Sequence, residues 1–133
     1  MPISPLWRLT GKEYFPCEHT PLYADPDWVA GDGRLHDHDF FEIAFILGGW
    51  GVHRCQRGDE ILQPGDVVVV RPGVWHQYVD CHALSLYNCC FGADLLHRDL
   101  VALAHDPTLN YLFWEGPLSQ NGQGIALLRL PPM

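Results

Sequence analysis

Two imidazoles and a carboxylate lie close together between His36 and Glu42, in the stretch HDHDFFE. If this stretch is a β-strand, alternate side chains share a face, so His36 and His38 lie about 7 Å apart along the chain. Both rings can then reach one metal ion or one polar ligand. On a straight strand Glu42 lies roughly 14 Å beyond His38. A shared site therefore requires a bend or bulge near residues 39–41, a device that often occurs beside functional sites.

A third histidine follows a second ordered pattern. Residues 65–76 predict a turn, a short buried strand, a second turn and then His76 at the start of another strand. Three imidazoles and one carboxylate form a ligand set that suits Fe, Mn, Ni or Zn and leaves coordination positions open. The same groups could instead form the hydrogen-bonding wall of a pocket without an ion. The sequence leaves both interpretations open.

Short strands separated by tight turns must position these side chains. Glycine, proline and aspartate punctuation between residues 34 and 91 predicts six strands. We expect them at 37–47, 50–56, 60–63, 67–71, 76–80 and 83–91. A turn is predicted at Gly48-Gly49, and Val67 to Val70 is apolar throughout, as expected for a strand covered on both faces. Antiparallel strands at this spacing favour a sandwich or a small barrel.

The two ends of the chain lack the pattern of short strands and tight turns. Residues 1–31 are rich in proline and predict an irregular arm with one or two short edge strands, which either packs across a barrel mouth or closes over a ligand. Residues 93–104 have leucines at helical spacing and end at Asp106-Pro107, and residues 124–130 predict a last strand. We therefore divide one domain into an arm (1–31), a barrel core (32–92) and a helix with a closing strand (93–133).

Composition excludes several classes of function. The 133 residues fall short of the roughly 250 at which chains usually divide into domains. Sixteen acidic residues against eight Lys and Arg give a net charge of −8, which disfavours contact with a nucleic-acid backbone. No apolar run is long enough to span a membrane. Five cysteines without CxxC spacing, and no secretory signal, predict reduced thiols in a cytoplasmic protein.

The two histidine stretches resemble the paired motifs of the cupin superfamily, HxH(x)3–4E(x)6G and G(x)5PxG(x)2H(x)3N. Glu42 is followed by six residues and then Gly49, as in the first motif. In the second, Arg71 replaces the proline and Asp80 replaces the asparagine. The resemblance implies an all-β fold, a double-stranded β-helix or jelly-roll barrel, with a short C-terminal helical segment. It also implies metal ligands at His36, His38, Glu42 and His76.

The order of the elements is similar to that of the N-terminal ligand-sensing domain of AraC-type transcription regulators, especially their rhamnose-regulator-like branch. This resemblance runs from about Leu9 to Leu130. It implies a small-molecule effector, such as a sugar, inside the barrel. In that family separate helix-turn-helix units bind DNA, so no direct nucleic-acid contact is expected of this domain. Because such units do not follow Met133, we expect an excised sensor domain or a truncated or stand-alone relative, with a homodimer as an open possibility.

Inside such a barrel, polar groups would meet aromatic walls. We expect the ligand-binding residues to be His36, His38, Glu42, His76, Tyr78 and Trp75, with Phe40, Phe45 and Trp50 as further walls. Asp37 and Asp39 alternate to the other face of the strand, so we expect their side chains to be solvated rather than to act as ligands. His53 has no spaced partner, so we expect it outside the pocket. Exposed positions are predicted for His19, His97 and His105.

Two other functions stay open. A small metal-dependent cupin enzyme, of isomerase or oxygenase type, would use the same metal ligands. It would also need an acid or base beside the metal, and the spacing singles out no such residue. A structural or oligomerisation module is the other alternative. We therefore expect an effector sensor rather than an enzyme.

Overall fold

The computed structural model describes residues 6–16 and 20–131. Eight strands form one sheet with the order β1-β3-β7-β4-β6-β8, in which β2 also pairs with β7 and β5 also pairs with β4. The all-β prediction is therefore confirmed. The strands are β1 (Trp7–Leu9), β2 (Leu22–Gly31), β3 (His36–His38), β4 (Phe40–Cys55), β5 (Gly58–Leu62), β6 (Asp66–Val70), β7 (His76–Gly92) and β8 (Ile125–Arg129). A one-turn helix, α1 (Gly11–Tyr14), lies between β1 and β2.

The two longest strands, β4 and β7, are the spine on which the rest of the sheet is built. They pair antiparallel from Phe40 opposite Gly92 to Cys55 opposite His76. The first part of β4 also pairs with β6, and its last part pairs with β5. On the other side, β7 also pairs with β2 and β3. Each long strand thus joins two parts of the sheet and holds them in a fixed relation.

Bulges interrupt the pairing of β4 with β7 where the sequence predicts turns. Strand β4 covers most of the two strands predicted at 37–47 and 50–56, so the predicted turn at Gly48-Gly49 is wrong. Strand β7 likewise covers the two strands predicted at 76–80 and 83–91. At these bulges each strand contains a residue with a positive backbone φ, which lets it accommodate the extra residues. These are Gly49 of β4, with a φ of +69°, and Ala83 of β7, with a φ of +49°. A Cβ at position 49 would lie 2.1 Å from the Ala83 carbonyl oxygen, so this close approach requires glycine.

Buried side chains form two main clusters, and β6 contributes to both. Val68 and Val70 belong to the cluster that includes Leu84 and Leu86. Val69 belongs to the other, together with Phe41 and the helical segment. Since alternate side chains of a strand point to opposite faces, the two clusters lie on opposite faces of the sheet. The prediction that this valine strand is covered on both faces is confirmed.

A helical segment covers the cluster that contains Phe41 and Val69. It comprises α2 (Ala93–Arg98), a 3₁₀ turn (Val101–His105), α3 (Pro107–Asn110), a π turn (Tyr111–Glu115) and α4 (Gly116–Leu118). The single helix predicted at 93–104 is thus broken into shorter pieces. The Asp106 carboxylate accepts a hydrogen bond from the Leu109 backbone N–H at 3.0 Å, so a new helix begins where the sequence predicts an end. Within the described residues, none of the helices is long and apolar enough to cross a membrane.

The N-terminal region is more regular than an irregular arm. Strand β1 pairs in parallel with β3, and the ten residues of β2 lie antiparallel along β7. Among the described residues β2 pairs only with β7, so it is an edge strand. Pro26 is tolerated there because the position of its missing N–H can face away from the sheet. His19, predicted to be exposed, lies outside the described residues.

The expectation that Asp37 is solvated is wrong. Its side chain is buried, with 3% exposed, rather than solvated. Both carboxylate oxygens accept hydrogen bonds from Arg8 of β1, at 2.9 and 2.8 Å. This pair ties β1 to β3 between the two histidines of that strand. Asp39 is exposed, as predicted, and accepts a hydrogen bond from the Gly11 backbone N–H at 2.7 Å.

Replacing Gly49 with alanine should destabilise the fold more than Gly31→Ala does. The two glycines have φ of +69° and +70°, so alanine costs about 1–2 kcal/mol of backbone strain at either position. At Gly31 an added Cβ meets no atom of the described residues within 4 Å, whereas at Gly49 it meets the Ala83 carbonyl. Urea unfolding of both variants measures the difference. Equal losses of stability would contradict the close contact at Gly49.

The Arg8–Asp37 pair should make stability depend on pH in acid. Hydrogen bonds from Arg8 lower the pKa of Asp37 and outweigh the opposing effect of burial. Relative to an unfolded pKa of about 3.9, this carboxylate contributes stability that is present above that pH and lost as the pH falls through the folded pKa. We expect Arg8→Ala to destabilise the protein near neutral pH and to approach wild type in strong acid.

Thermal unfolding of Arg8→Ala and wild type across this pH range tests the prediction. Arg54→Ala is the matched control, because Arg54 forms a pair with Asp59 in which both side chains are about half exposed. Such surface pairs contribute little. A loss in Arg8→Ala that is the same at every pH would show that its pair with Asp37 is not the cause.

Candidate metal and ligand site

Four predicted ligand residues meet at one end of the barrel. His36 and His38 lie on β3, and His76 begins β7 directly opposite His36. A bend at Asp39 separates β3 from β4 and brings Glu42 back towards the histidines, as the spacing predicts. One potential ligand atom from each of His36, His38, Glu42 and His76 lies within 4.8 Å of the others.

Each histidine is oriented by a partner at its Nδ1 atom. The Nδ1 of His36 lies 2.8 Å from the Arg34 carbonyl oxygen, and that of His38 lies 2.6 Å from the Phe40 carbonyl oxygen. A carbonyl only accepts hydrogen bonds, so these two rings carry a proton on Nδ1. Their Nε2 atoms remain free to bind a cation when the ring is neutral. The Nδ1 of His76 lies 2.9 Å from Nε2 of His53.

The inward-facing atoms fit a metal ion. Oε2 of Glu42 lies 2.9 Å from Nε2 of His38 and 3.5 Å from Nε2 of His76. Both nitrogens are buried, and among the described residues neither has a hydrogen-bond partner of acceptable geometry. Buried polar atoms are rarely left unpaired, and a cation at this point would satisfy them together. Imidazole nitrogens with one carboxylate oxygen suit Zn, Ni, Fe or Mn.

Electrostatics within the cluster depend on Glu42, which is only 5% exposed. Burial would raise the pKa of Glu42, but the close contacts of its carboxylate with the His38 and His76 imidazoles hold that pKa well below its usual value. Burial likewise opposes charge on His38, yet its contact with the Glu42 carboxylate leaves the pKa of His38 raised. Without a metal, the carboxylate therefore favours a protonated His38, and a metal ion would have to displace that proton.

Burial has the opposite net effect on two neighbouring rings. It lowers the pKa of His36, and the neighbouring imidazole of His76 lowers it further. Burial and then the neighbouring imidazole of His76 lower the pKa of His53 to about 3. His53 is therefore neutral at physiological pH.

A cavity of about 180 Å³ opens beside the cluster. His36 and Glu42 form part of its wall, while His38 and His76 are fully buried behind them. The hydroxyl of Tyr78 and Oδ1 of Asn88 are buried without a hydrogen-bond partner in the described structure. The remaining lining residues are Trp7, Leu9, Tyr14, Tyr23, Asp27, Val29, Gly33, Arg34, Phe40 and Cys90.

Three aromatic residues predicted as pocket walls lie elsewhere. Trp75 is half-buried and does not line this cavity. Phe45 and Trp50 are 38% and 41% exposed, and Trp50 stacks on His82 with ring centroids 4.2 Å apart. Residue type alone does not specify the face of a strand, and the bulges in β4 shift the alternation on which such predictions depend.

Sequence reasoning missed other residues of the site. His53, expected outside the pocket, is fully buried and contacts His76, although it does not line the cavity. Asn88 of β7 lines the cavity, and Asp27 joins it because β2 lies along β7, a pairing that the proline-rich N-terminal sequence did not predict. Strand alternation with the buried Cys55 was the only local signal that His53 points inward.

Comparison with known proteins agrees with this architecture. The barrel resembles a cupin 2 conserved barrel domain protein from Salinispora arenicola, with a TM-score of 0.51 and 23% identity over 66% of this chain and 77% of that one. It also resembles ToxT from Vibrio cholerae, with a TM-score of 0.55 and 5% identity over 84% of this chain and 43% of that one. These similarities show the cupin fold, which confirms the predicted jelly-roll barrel.

Sequence relatives are transcriptional activators. The chain is 27% identical to the HTH-type transcriptional activator RhaR of Mannheimia succiniciproducens over 71% of this chain and 34% of that protein. It is 27% identical to the activator RhaS of Pectobacterium carotovorum over 91% of this chain and 44% of that protein. The chain thus matches less than half the length of these relatives. The profile of the AraC-like ligand binding domain matches residues 16–129, and the chain therefore belongs to this family of ligand-binding domains.

Proposed function

We propose that this chain is the effector-sensing domain of an AraC-type transcription regulator and that its cavity binds a small polar effector, such as a sugar. The observation that carries the proposal is the cavity itself. It has mostly apolar walls and a few convergent polar groups, which is the usual form of a small-molecule site. Family membership and the activator relatives support a regulatory role rather than an enzymatic one.

The polar atoms of the cavity suit hydroxyl groups. The Tyr78 hydroxyl can donate a hydrogen bond and Oδ1 of Asn88 can accept one, and neither has a partner in the described part of the chain. Asp27 adds a further acceptor on the same wall. A hydroxyl donates and accepts, so a polyhydroxylated molecule can satisfy all three. Aromatic residues such as Tyr14 and Phe40 provide faces against which the C–H surface of a sugar can pack.

We also propose that His36, His38, Glu42 and His76 hold a divalent metal, with Zn, Ni, Fe and Mn as candidates. Such an ion, when bound, supplies a positive charge that can polarise or orient an oxygen of a ligand. The protein groups around it do the positioning. Two backbone carbonyls fix the rings of His36 and His38, and the neighbouring imidazoles of His38 and His76 keep the Glu42 carboxylate ionised despite its burial.

Signal output belongs to parts of the relatives that this chain does not cover. The relatives are named as helix-turn-helix activators, and the chain matches 34–44% of their length. With a net charge of −8, the domain itself is unsuited to a phosphate backbone. We propose that it acts on a DNA-binding partner domain within a cytoplasmic regulator. A homodimer stays a prediction.

A small metal-dependent cupin enzyme is the second candidate, and the convergence of three imidazoles with a carboxylate is the observation that favours it. The two functions are distinguished by what happens to the bound molecule. A sensor releases its effector unchanged. An enzyme converts it, with a rate that depends on the metal.

Titration of the purified domain with a panel of monosaccharides, by calorimetry and with product analysis of each mixture, tests the proposed function. We expect saturable binding of at least one sugar, recovered unchanged. Binding by none of them, or conversion of a bound sugar into product, would contradict the sensor proposal.

The Tyr78 hydroxyl should contribute directly to effector binding. Tyr78→Phe leaves the ring in place and removes a buried hydroxyl of a cavity-lining residue, one without a hydrogen-bond partner among residues 6–16 and 20–131. A net hydrogen bond contributes about 0.5–1.5 kcal/mol, so we expect the sugar affinity to fall by roughly three- to tenfold. Tyr87→Phe, on a residue that is 39% exposed and does not line the cavity, is the matched control and should bind as wild type does. Unchanged affinity in Tyr78→Phe would remove this hydroxyl from the site.

Metal binding should depend on His76 and not on an exposed histidine. His76→Ala removes one of four convergent ligand residues. We expect its Zn²⁺ affinity to fall by more than the roughly 10–100-fold that loss of an outer partner typically costs. His97→Ala, on the exposed face of α2, should bind Zn²⁺ as wild type does. Calorimetry with circular dichroism as a check of folding measures both, and equal affinity in the two variants would show that the metal site is misplaced.

A further inference from the structure

We propose that His53 is a positioning residue that holds His76 in the tautomer able to bind a metal. In this arrangement His53 accepts a hydrogen bond from Nδ1–H of His76, which leaves the lone pair of His76 Nε2 facing the cluster. The inference rests on the proposed metal site and adds a residue that makes no contact with the ion.

The location of His53 supports a dedicated contact with His76. It lies on β4 in register with Tyr78, two residues beyond His76 on the neighbouring strand. Its side chain is only 1% exposed, and Nε2 lies 2.9 Å from Nδ1 of His76. A histidine buried between strands could be simple packing. Here, however, its ring nitrogen is at hydrogen-bond distance from a candidate metal ligand.

His76 differs from the other two histidines in how its proton is fixed. The Nδ1 atoms of His36 and His38 face backbone carbonyls, which can only accept hydrogen bonds. His76 faces another imidazole, which can accept or donate. The backbone therefore determines two tautomers, while a side chain determines the third.

The direction of this hydrogen bond decides whether His76 can bind a metal. If His53 donates from Nε2, the proton of neutral His76 must lie on its own Nε2, directed towards the cluster. That proton would block coordination. If His53 accepts, Nε2 of His76 is a free lone pair at 3.5 Å from Oε2 of Glu42. Partners of this kind fix ring orientation and tautomer in metal sites.

Two substitutions separate hydrogen bonding from packing. His53→Gln can place an amide oxygen where Nε2 lies and so keep an acceptor for His76. His53→Leu keeps an apolar side chain of useful size but removes the acceptor. We expect the Zn²⁺ affinity of His53→Leu to fall by roughly 10–100-fold and that of His53→Gln to stay within a few fold of wild type. His82→Leu, at a largely exposed histidine outside the cluster, is the control and should bind Zn²⁺ as wild type does.

Imidazole ¹⁵N chemical shifts of the wild-type protein with Zn²⁺ provide a readout independent of whether the variants fold. We expect Nε2 of His53 to be unprotonated and Nδ1 of His76 to be protonated. A protonated Nε2 on His53 would overturn the proposal. So would wild-type affinity in His53→Leu, or equal losses in the leucine and glutamine variants, since these indicate no role or only packing. If the wild-type protein binds no Zn²⁺, both this inference and the proposed metal site fail, while sugar binding still tests the sensor function separately.

Discussion

The burial of the Glu42 carboxylate is the constraint on which the rest of the site depends. An isolated charge inside a protein is costly unless it is paired or coordinates a metal. Here the Glu42 side chain is 7% exposed, and its carboxylate lies against the Nε2 atoms of His38 and His76. A carboxylate in that position requires positive charge, supplied either by protonated imidazole or by an ion. This need for positive charge is consistent with the close grouping of the four side chains, whose potential ligand atoms lie within 4.8 Å of one another.

A bend in the sheet and the pairing of β3 with β7 bring the histidines to the Glu42 carboxylate. A bend at Asp39 lets β3 and β4 direct side chains to one place, although Glu42 lies too far from His38 on a straight strand. Strand β7 begins at His76 opposite β3, which supplies the third imidazole. Farther along, facing bulges in β4 and β7 keep these strands paired over their full length. The Phe40 ring stacks on His38 with centroids 4.6 Å apart and helps to fix that ring.

Short-range spacing predicted the grouping of His36, His38 and Glu42 and a domain of short strands. The addition of His76 and the jelly-roll barrel were implied by the resemblance to the cupin motifs. Alternation placed His36 and His38 together, and the distance to Glu42 implied the bend that the structure contains. Features that depend on long-range pairing were not predicted. Asp37 is buried because Arg8 arrives on a parallel strand, and Asp27 reaches the cavity because β2 lies along β7. The outward position of Trp50 follows a run of bulges that alternation alone cannot reveal.

The central claim is that three imidazoles and the Glu42 carboxylate share one ion inside the barrel. X-ray absorption spectroscopy of the Zn²⁺-loaded protein tests it most directly, because the spectrum reports the ligands around the metal. The account predicts nitrogen and oxygen ligands at about 2.0–2.2 Å, with outer scattering from three imidazole rings. A sulfur ligand at about 2.3 Å, as from Cys90 on the cavity wall, or fewer than three imidazoles would contradict it.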